Sequence, residues 1–157
     1  MKRNHGLKLT GIFIGAILLT LSCIPGPSME AYRLNQQVVQ LIDQGRYKEA
    51  IPIAKRSLAI HEKALGPEHL DVGASLNNLA VLYYDLGAYQ KAEPLFKRAL
   101  AIREKALGPD HPDVADSLNN LAELYDALGD YAKAEPLYKR ALAIYEKALG
   151  PDHRMSH

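Results

Sequence analysis

The residues that could do chemistry include three histidines, His69, His111 and His153, which recur at intervals of 42 residues. Histidine is a common zinc ligand, but a zinc site needs several ligands around one ion. Each of these histidines stands at the start of a different copy of a repeated sequence, so stacked copies would hold them apart along one edge. We therefore predict that they serve the starts of helices and that the chain has no metal site.

The sequence also argues against two further classes of function. It contains no glycine-rich phosphate loop and no nucleophile spaced with a general base, so we predict that the protein is not an enzyme and has no cofactor. Its net charge is +1, and it falls to −2 when Lys2, Arg3 and Lys8 are left out. No basic block follows Lys8, so we predict that the protein does not bind nucleic acid.

The N-terminus has the organisation of an export signal. A basic start is followed by the uncharged, mostly apolar run Leu9–Ile24 and by the helix breaker Pro-Gly-Pro. The run is short for a membrane span, which needs about 20 apolar residues, and an uncleaved membrane anchor is the alternative. We predict a signal peptide over 1–23, a linker over 24–30 and an exported protein of the bacterial cell envelope.

The only cysteine, Cys23, ends the segment LTLSC, which resembles a bacterial lipobox. That resemblance implies that the signal is cleaved at Cys23 and that this cysteine is lipidated. The alternative is that Cys23 is one more apolar residue of the signal. Lipidation predicts a membrane anchor, on the outer membrane or at the periplasmic face.

The rest of the chain is a repeat. Residues 66–107 and 108–149 are identical at 31 of 42 positions without a gap, and KRSLAI at 55–60 matches KRALAI at 97–102. A fixed period of this length is the signature of a stacked repeat architecture. We predict a degenerate unit over 31–65, two full units over 66–107 and 108–149, and the truncated start of a fourth over 150–157.

Each unit encodes two helices. In the second unit Leu76, Leu79, Ala80 and Tyr83 form one apolar stripe, with the spacing i, i+3, i+4 and i+7. The second helix of this unit is predicted over 89–107. One helix pair cannot bury both of its apolar faces, whereas a second copy stacked on it can, so these leucines are predicted to be core.

The pattern L-x2-LA-x2-Y-x3-G-x-Y-x2-A-x3-[FY]-x2-AL resembles the tetratricopeptide repeat. The longer unit, with LNNLA, AEPL-x-KRAL-I and LGP-x-H-x-DVA, is similar to the kinesin-light-chain type of this repeat. The resemblance covers roughly residues 32–153. It implies an all-α fold, a right-handed superhelical solenoid of antiparallel helix pairs with about three units. It also implies a non-catalytic scaffold that binds a peptide or a partner helix of another protein in a concave groove.

The candidate groove is the face of the first helices that lies outside the apolar stripe. Asn77 and Asn78 lie about 100° and 200° from Leu76 on a helical wheel. In the tetratricopeptide family this face lines the groove, and an asparagine amide can both donate to and accept from a peptide backbone. The alternatives are an asparagine ladder between neighbouring helices and plain solvation. The candidate residues are Asn77, Asn78, Val81, Tyr84, Asp116, Asn119, Asn120, Glu123 and Asp126, with Tyr32, Asn35, Gln36, Val39 and Asp43 on the same face of the first unit.

The charges of this face favour some ligands over others. Family members that grip a carboxylate use lysine or arginine there, but the second and third units have neither, so we predict selection against acidic ligands. Arg103, on the apolar side of the second helix of its unit, is a candidate ligand contact unless its side chain simply reaches outward.

The end of the repeat predicts weak self-association. Helix 131–149 repeats apolar positions that the next front helix partly covers in the preceding unit, and residues 150–157 are too few to form such a helix. We predict a weak homo-oligomer through this end, unless the chain is a fragment of a longer array. Two rival functions follow: a self-stacking component of an envelope complex, and a truncated regulatory arm of a larger multidomain protein.

Overall fold

A computed structural model describes residues 26–150, in which six α-helices and no strands occur. The predicted signal peptide, the lipobox with Cys23, His153 and the segment 151–157 lie outside the described residues. None of the described helices is both long enough and apolar enough to cross a membrane. The helices are α1 (Pro27–Asp43), α2 (Tyr47–Leu65), α3 (Leu70–Asp85), α4 (Tyr89–Leu107), α5 (Pro112–Ala127) and α6 (Tyr131–Leu149).

The six helices stack as three successive pairs. We call α1, α3 and α5 the front helices and α2, α4 and α6 the rear helices. Each front helix packs against the rear helix that follows it, and α3 and α5 also pack against the rear helix before them. The predicted all-α solenoid is therefore confirmed, and so are the predicted bounds of the rear helices at 89–107 and 131–149.

Glycines at a spacing of 21 residues end the helices. Gly45, Gly66, Gly87, Gly108, Gly129 and Gly150 all have positive φ, between 70° and 89°. After α3, the amide of Gly87 donates to the carbonyl of Tyr84 at 2.8 Å, and the amide of Ala88 donates to that of Tyr83 at 2.8 Å. Since side chains other than hydrogen strain this backbone conformation, glycine fixes where each helix of the 42-residue unit stops.

Histidines begin two of the front helices, as predicted. The Nδ1 atom of His69 accepts a hydrogen bond from the amide of Asp71 at 3.2 Å, and that of His111 accepts from the amide of Asp113 at 3.1 Å. These contacts satisfy amide groups that have no partner within the first turn of a helix. No group of three or more potential metal ligands occurs among residues 26–150.

The predicted leucine stripe forms the core between helices. Leu76 and Leu118 have no exposed surface, and Leu79 and Leu121 are 4% exposed. Leu79 packs with residues of the first unit, and Leu121 packs with residues of the second, so α3 and α5 each cover the apolar surface of the preceding unit. This is the physical reason for the repetition of the LNNLA segment.

One predicted boundary is wrong. The linker was predicted over 24–30, but α1 begins at Pro27, so the linker ends at Gly26. Pro27 occupies the first turn of α1, where its fixed φ suits a helix and its missing amide hydrogen is not needed.

Candidate functional site

The predicted groove residues lie on successive front helices. On α3, Asn77, Asn78, Val81 and Tyr84 are half-buried. On α5, the amides of Asn119 and Asn120 are also half-buried, whereas the three carboxylates are exposed; these belong to Asp116, Glu123 and Asp126. The face therefore combines amides near the helix packing with carboxylates that project into solvent.

Two of the four asparagines bond to each other. The Nδ2 atom of Asn120 donates to the Oδ1 atom of Asn77 at 2.9 Å, which joins α5 to α3. Such bonding between asparagines of neighbouring helices is one predicted alternative to ligand contact, and the structure contains one such bond. The bond uses one donor of Asn120 and one lone pair of Asn77, so the Nδ2 of Asn77 and the Oδ1 of Asn120 keep hydrogen-bonding capacity for a ligand.

Asp116 has a partner within its own unit. The hydroxyl of Tyr145, on α6, donates a hydrogen bond to a carboxylate oxygen of Asp116. This bond, together with burial of the phenol, raises the pKa of Tyr145 to about 12. The tyrosine thus stays neutral and donating, and it holds Asp116 in place at the edge of the face.

An aromatic pair lies where α3 ends and α4 begins. The rings of Tyr84 and Tyr89 are tilted by 51° with centroids 5.4 Å apart, a favourable arrangement for two aromatic side chains. Both rings and Val81 pack against the core shared by the second and third units. A half-exposed apolar surface therefore adjoins the amides.

Arg103 has protein partners instead of an open position. Its Nη1 atom donates to the hydroxyl oxygen of Ser117 at 2.7 Å and to the carbonyl of Asp113 at 3.2 Å. Ser117 is only 1% exposed, so the guanidinium satisfies a buried hydroxyl at the contact between α4 and α5. These contacts supply a structural reason for a basic side chain on an otherwise apolar helix face.

The corresponding contact between the first and second units is a buried polar network. The Nδ2 of Asn35 donates to Ser75 Oγ at 3.0 Å, and Ser57 Oγ donates to Asn35 Oδ1 at 2.9 Å. His61, the counterpart of Arg103, places its Nδ1 atom 2.8 Å from Ser75 Oγ. Asn35, which the sequence placed on the groove face, is therefore engaged in unit packing. The serines that recur within the leucine stripe, Ser75 and Ser117, are the sequence signal that could have indicated these contacts.

His61 is expected to make folding sensitive to acid. It is 3% exposed, and burial lowers the pKa of its imidazole, although Asp71 opposes this effect. His61 in the unfolded chain therefore binds a proton more readily than His61 in the folded protein. The contribution of neutral His61 to the free energy of unfolding is fully present above the ordinary histidine pKa of about 6.5, and it is lost as the pH drops below that value. The free energy of unfolding, measured with urea from pH 7.5 to 5.0, should decline less steeply in His61→Gln. Parallel curves for the two proteins would contradict this role for His61.

The chain is similar to known proteins in both sequence and fold. Residues 31–105 and 76–147 match a sequence model of the tetratricopeptide repeat. No curated protein sequence matches the chain. Among solved structures, BtubC (BKLC) from P. vanneervenii is 28% identical with a TM-score of 0.71, over 86% of this chain and 55% of its own.

Two further solved structures are similar to this chain. A Podosopora anserina protein assigned to the kinesin light chains, with nearly identical TPR-like repeats, is 30% identical with a TM-score of 0.69, over 77% of this chain and 57% of its own. This chain thus spans little more than half the length of either of these relatives. The TPR domain of Arabidopsis FLU shares the fold at 18% identity, with a TM-score of 0.69, over 77% of this chain and 98% of its own.

Proposed function

Because the chain belongs to the tetratricopeptide-repeat family, we propose that it is a protein-binding scaffold that holds a peptide or a partner helix against its front helices. Proteins of this family generally act as non-catalytic scaffolds and typically bind other proteins. In this proposal the solenoid presents a rigid surface, and the binding energy comes from contacts with side chains that the packing of the units leaves accessible.

The observation that supports this proposal is the row of polar and half-exposed side chains on α3 and α5. Core leucines hold these helices in place, while Asn78 and Asn119 turn away from the leucine stripe and remain half-buried. A fixed amide at the base of a groove can bond to a peptide backbone of any sequence. Rigid placement lowers the entropy lost on binding, which favours affinity.

A capture experiment in the native cells tests the proposed groove. Asn78→Arg places a long charged side chain in the groove, and Ala101→Arg makes a similar change at an exposed position of the rear helix α4. We expect the unaltered protein and Ala101→Arg to capture the same partner, and Asn78→Arg to lose it. Equal capture by all three proteins would place the binding surface elsewhere.

The second part of the proposal is export and lipid anchoring at Cys23. The apolar run and the lipobox-like segment before this cysteine support it. Labelling cells with a palmitate analogue should mark the unaltered protein but not Cys23→Ser, and the variant should migrate as the unprocessed form. Equal labelling and unchanged migration would rule out the anchor without affecting the groove.

A further inference from the structure

Charge is separated between the two sets of helices. The front helices contain eight aspartates and glutamates and a single basic residue, Arg33. The rear helices contain thirteen lysines and arginines and six glutamates. The net charges are therefore −7 and +7, so opposite faces of the solenoid present potentials of opposite sign.

Ion pairs neutralise the acids of the rear helices but not those of the groove. Arg98 pairs with Glu62 and Arg140 with Glu104, each across neighbouring units, and most other glutamates of the rear helices have a lysine or arginine partner. Within residues 26–150, no ion pair within 4.0 Å involves the carboxylates of Asp116, Glu123 and Asp126. Their negative charge is thus left available to a ligand.

The acidic residues replace apolar ones at equivalent positions of the earlier units. The position of Glu123 holds Val39 in the first unit and Val81 in the second, and Val39 is 42% exposed. The position of Asp116 holds Tyr32 and Ala74, and that of Asp126 holds Ile42 and Tyr84. At these three positions the face therefore changes from apolar in the first two units to acidic in the third, while α1 and α3 each end in a carboxylate, Asp43 and Asp85.

Aromatic rings stand where the two regions meet. Burial raises the pKa of the Tyr84 phenol, and the neighbouring Glu123 and Asp126 raise it further. Burial also raises the pKa of Tyr138, again with Asp126 and Glu123 adding to the effect. The electrostatic effect of these carboxylates thus extends to Tyr84, which packs at the core shared by the second and third units, and to Tyr138 on α6.

We propose that the groove selects a segment of a partner protein in which apolar side chains are followed or preceded by lysines or arginines. The apolar side chains pack against Val39, Val81 and Tyr84, and the cations lie over Glu123, Asp126 and Asp116. This inference rests on the proposed function, because it specifies the ligand of the same groove. Because the apolar patch lies on the first two units and the carboxylates lie on the third, the order of the two blocks in a ligand determines the direction in which it runs along the stack.

A peptide library tests the inferred ligand preference, and it distinguishes a wrong preference from a groove that binds no peptide at all. The full 157-residue chain, in a non-ionic detergent, is used to select binding peptides, with Asn78→Arg as the blocked control. We expect enriched peptides to place apolar and basic residues in separate blocks. Enrichment of acidic or uncharged peptides would overturn the inference and leave the groove function standing. No enrichment over Asn78→Arg would overturn both.

Defined probes then measure the contribution of charge. A peptide with three leucines in one block and three lysines in the next should bind more tightly than a peptide of the same composition in alternating order. Glu123→Gln with Asp126→Asn should weaken its binding on the order of tenfold, whereas the matched pair Glu135→Gln and Glu146→Gln on α6 should not. Salt should also weaken binding to the unaltered chain. An unchanged Kd in the groove variant, with no effect of salt, would overturn the inference.

Discussion

Leu118→Ala should lower the free energy of unfolding by about 2–5 kcal/mol, because it removes a large side chain from a site that cannot collapse easily. Leu118 has no exposed surface and packs among Val114, Ala115 and the α6 residues Ala141 and Ile144. Residues of one unit contact only neighbouring units in such a stack, so the third unit should lose most of this stability. Urea unfolding measures the total, and amide hydrogen exchange shows where it is lost.

Leu142→Ala is the matched control for this prediction. The same side chain is shortened, but Leu142 is 58% exposed on α6, so the free energy of unfolding should change by about 0.5 kcal/mol or less. Similar losses in the two variants would show that burial in the third unit does not determine its stability.

Most of the fold follows from the sequence because one physical requirement is repeated three times. Leu76 and Leu79 predict a helix with one apolar stripe, and the same residues 42 positions later predict a second helix that must cover the first pair. Glycine then fixes the ends, so the predicted rear helix over 89–107 has the bounds that the structure gives it. Only the start of α1 is wrong, because Pro27 can begin a helix as well as interrupt one.

The candidate site is less accessible to sequence reasoning because its polar contacts join different units. Helical periodicity shows that Asn77 points away from the leucine stripe, but it cannot show that Asn120, one unit later, lies within hydrogen-bonding distance. Arg103 is a similar case, since its partner Ser117 lies on the next front helix. The separation of charge between front and rear helices can be predicted from the sequence once the helices are assigned. It is also the feature that says most about the chemistry of the ligand.

The two ends of the stack differ in a way that determines how copies can associate. Front helices α3 and α5 bury Leu79 and Leu121 against the preceding unit. At the equivalent position α1 has Gln37, and one turn later it has Gln40 where α3 has the buried Leu82; both glutamines are exposed. The outer side of α1 is therefore polar at the two positions where α3 buries leucine.

The outer side of α6 is apolar by comparison. Leu142 and Leu149 are 58% and 62% exposed, whereas their equivalents in the preceding unit, Leu100 and Leu107, are half-buried. In the part of the chain that the structure describes, no further helix follows α6. Covering about 300 Å² of this surface would contribute about 7 kcal/mol before the costs of association, which are of similar size.

We therefore expect the 157-residue chain to form a weak dimer at high micromolar concentration, with α6 packed against α6 of a second copy. The polar outer side of α1 disfavours head-to-tail stacking, and a symmetric contact closes after two copies, so association should stop at the dimer. Sedimentation in a non-ionic detergent should show a dimer that Leu142→Lys abolishes and that Gln40→Lys, at the opposite end, leaves unchanged. A dimer lost only in Gln40→Lys, or larger assemblies, would instead indicate head-to-tail stacking. A monomer at every concentration would show that the exposed leucines of α6 do not drive association.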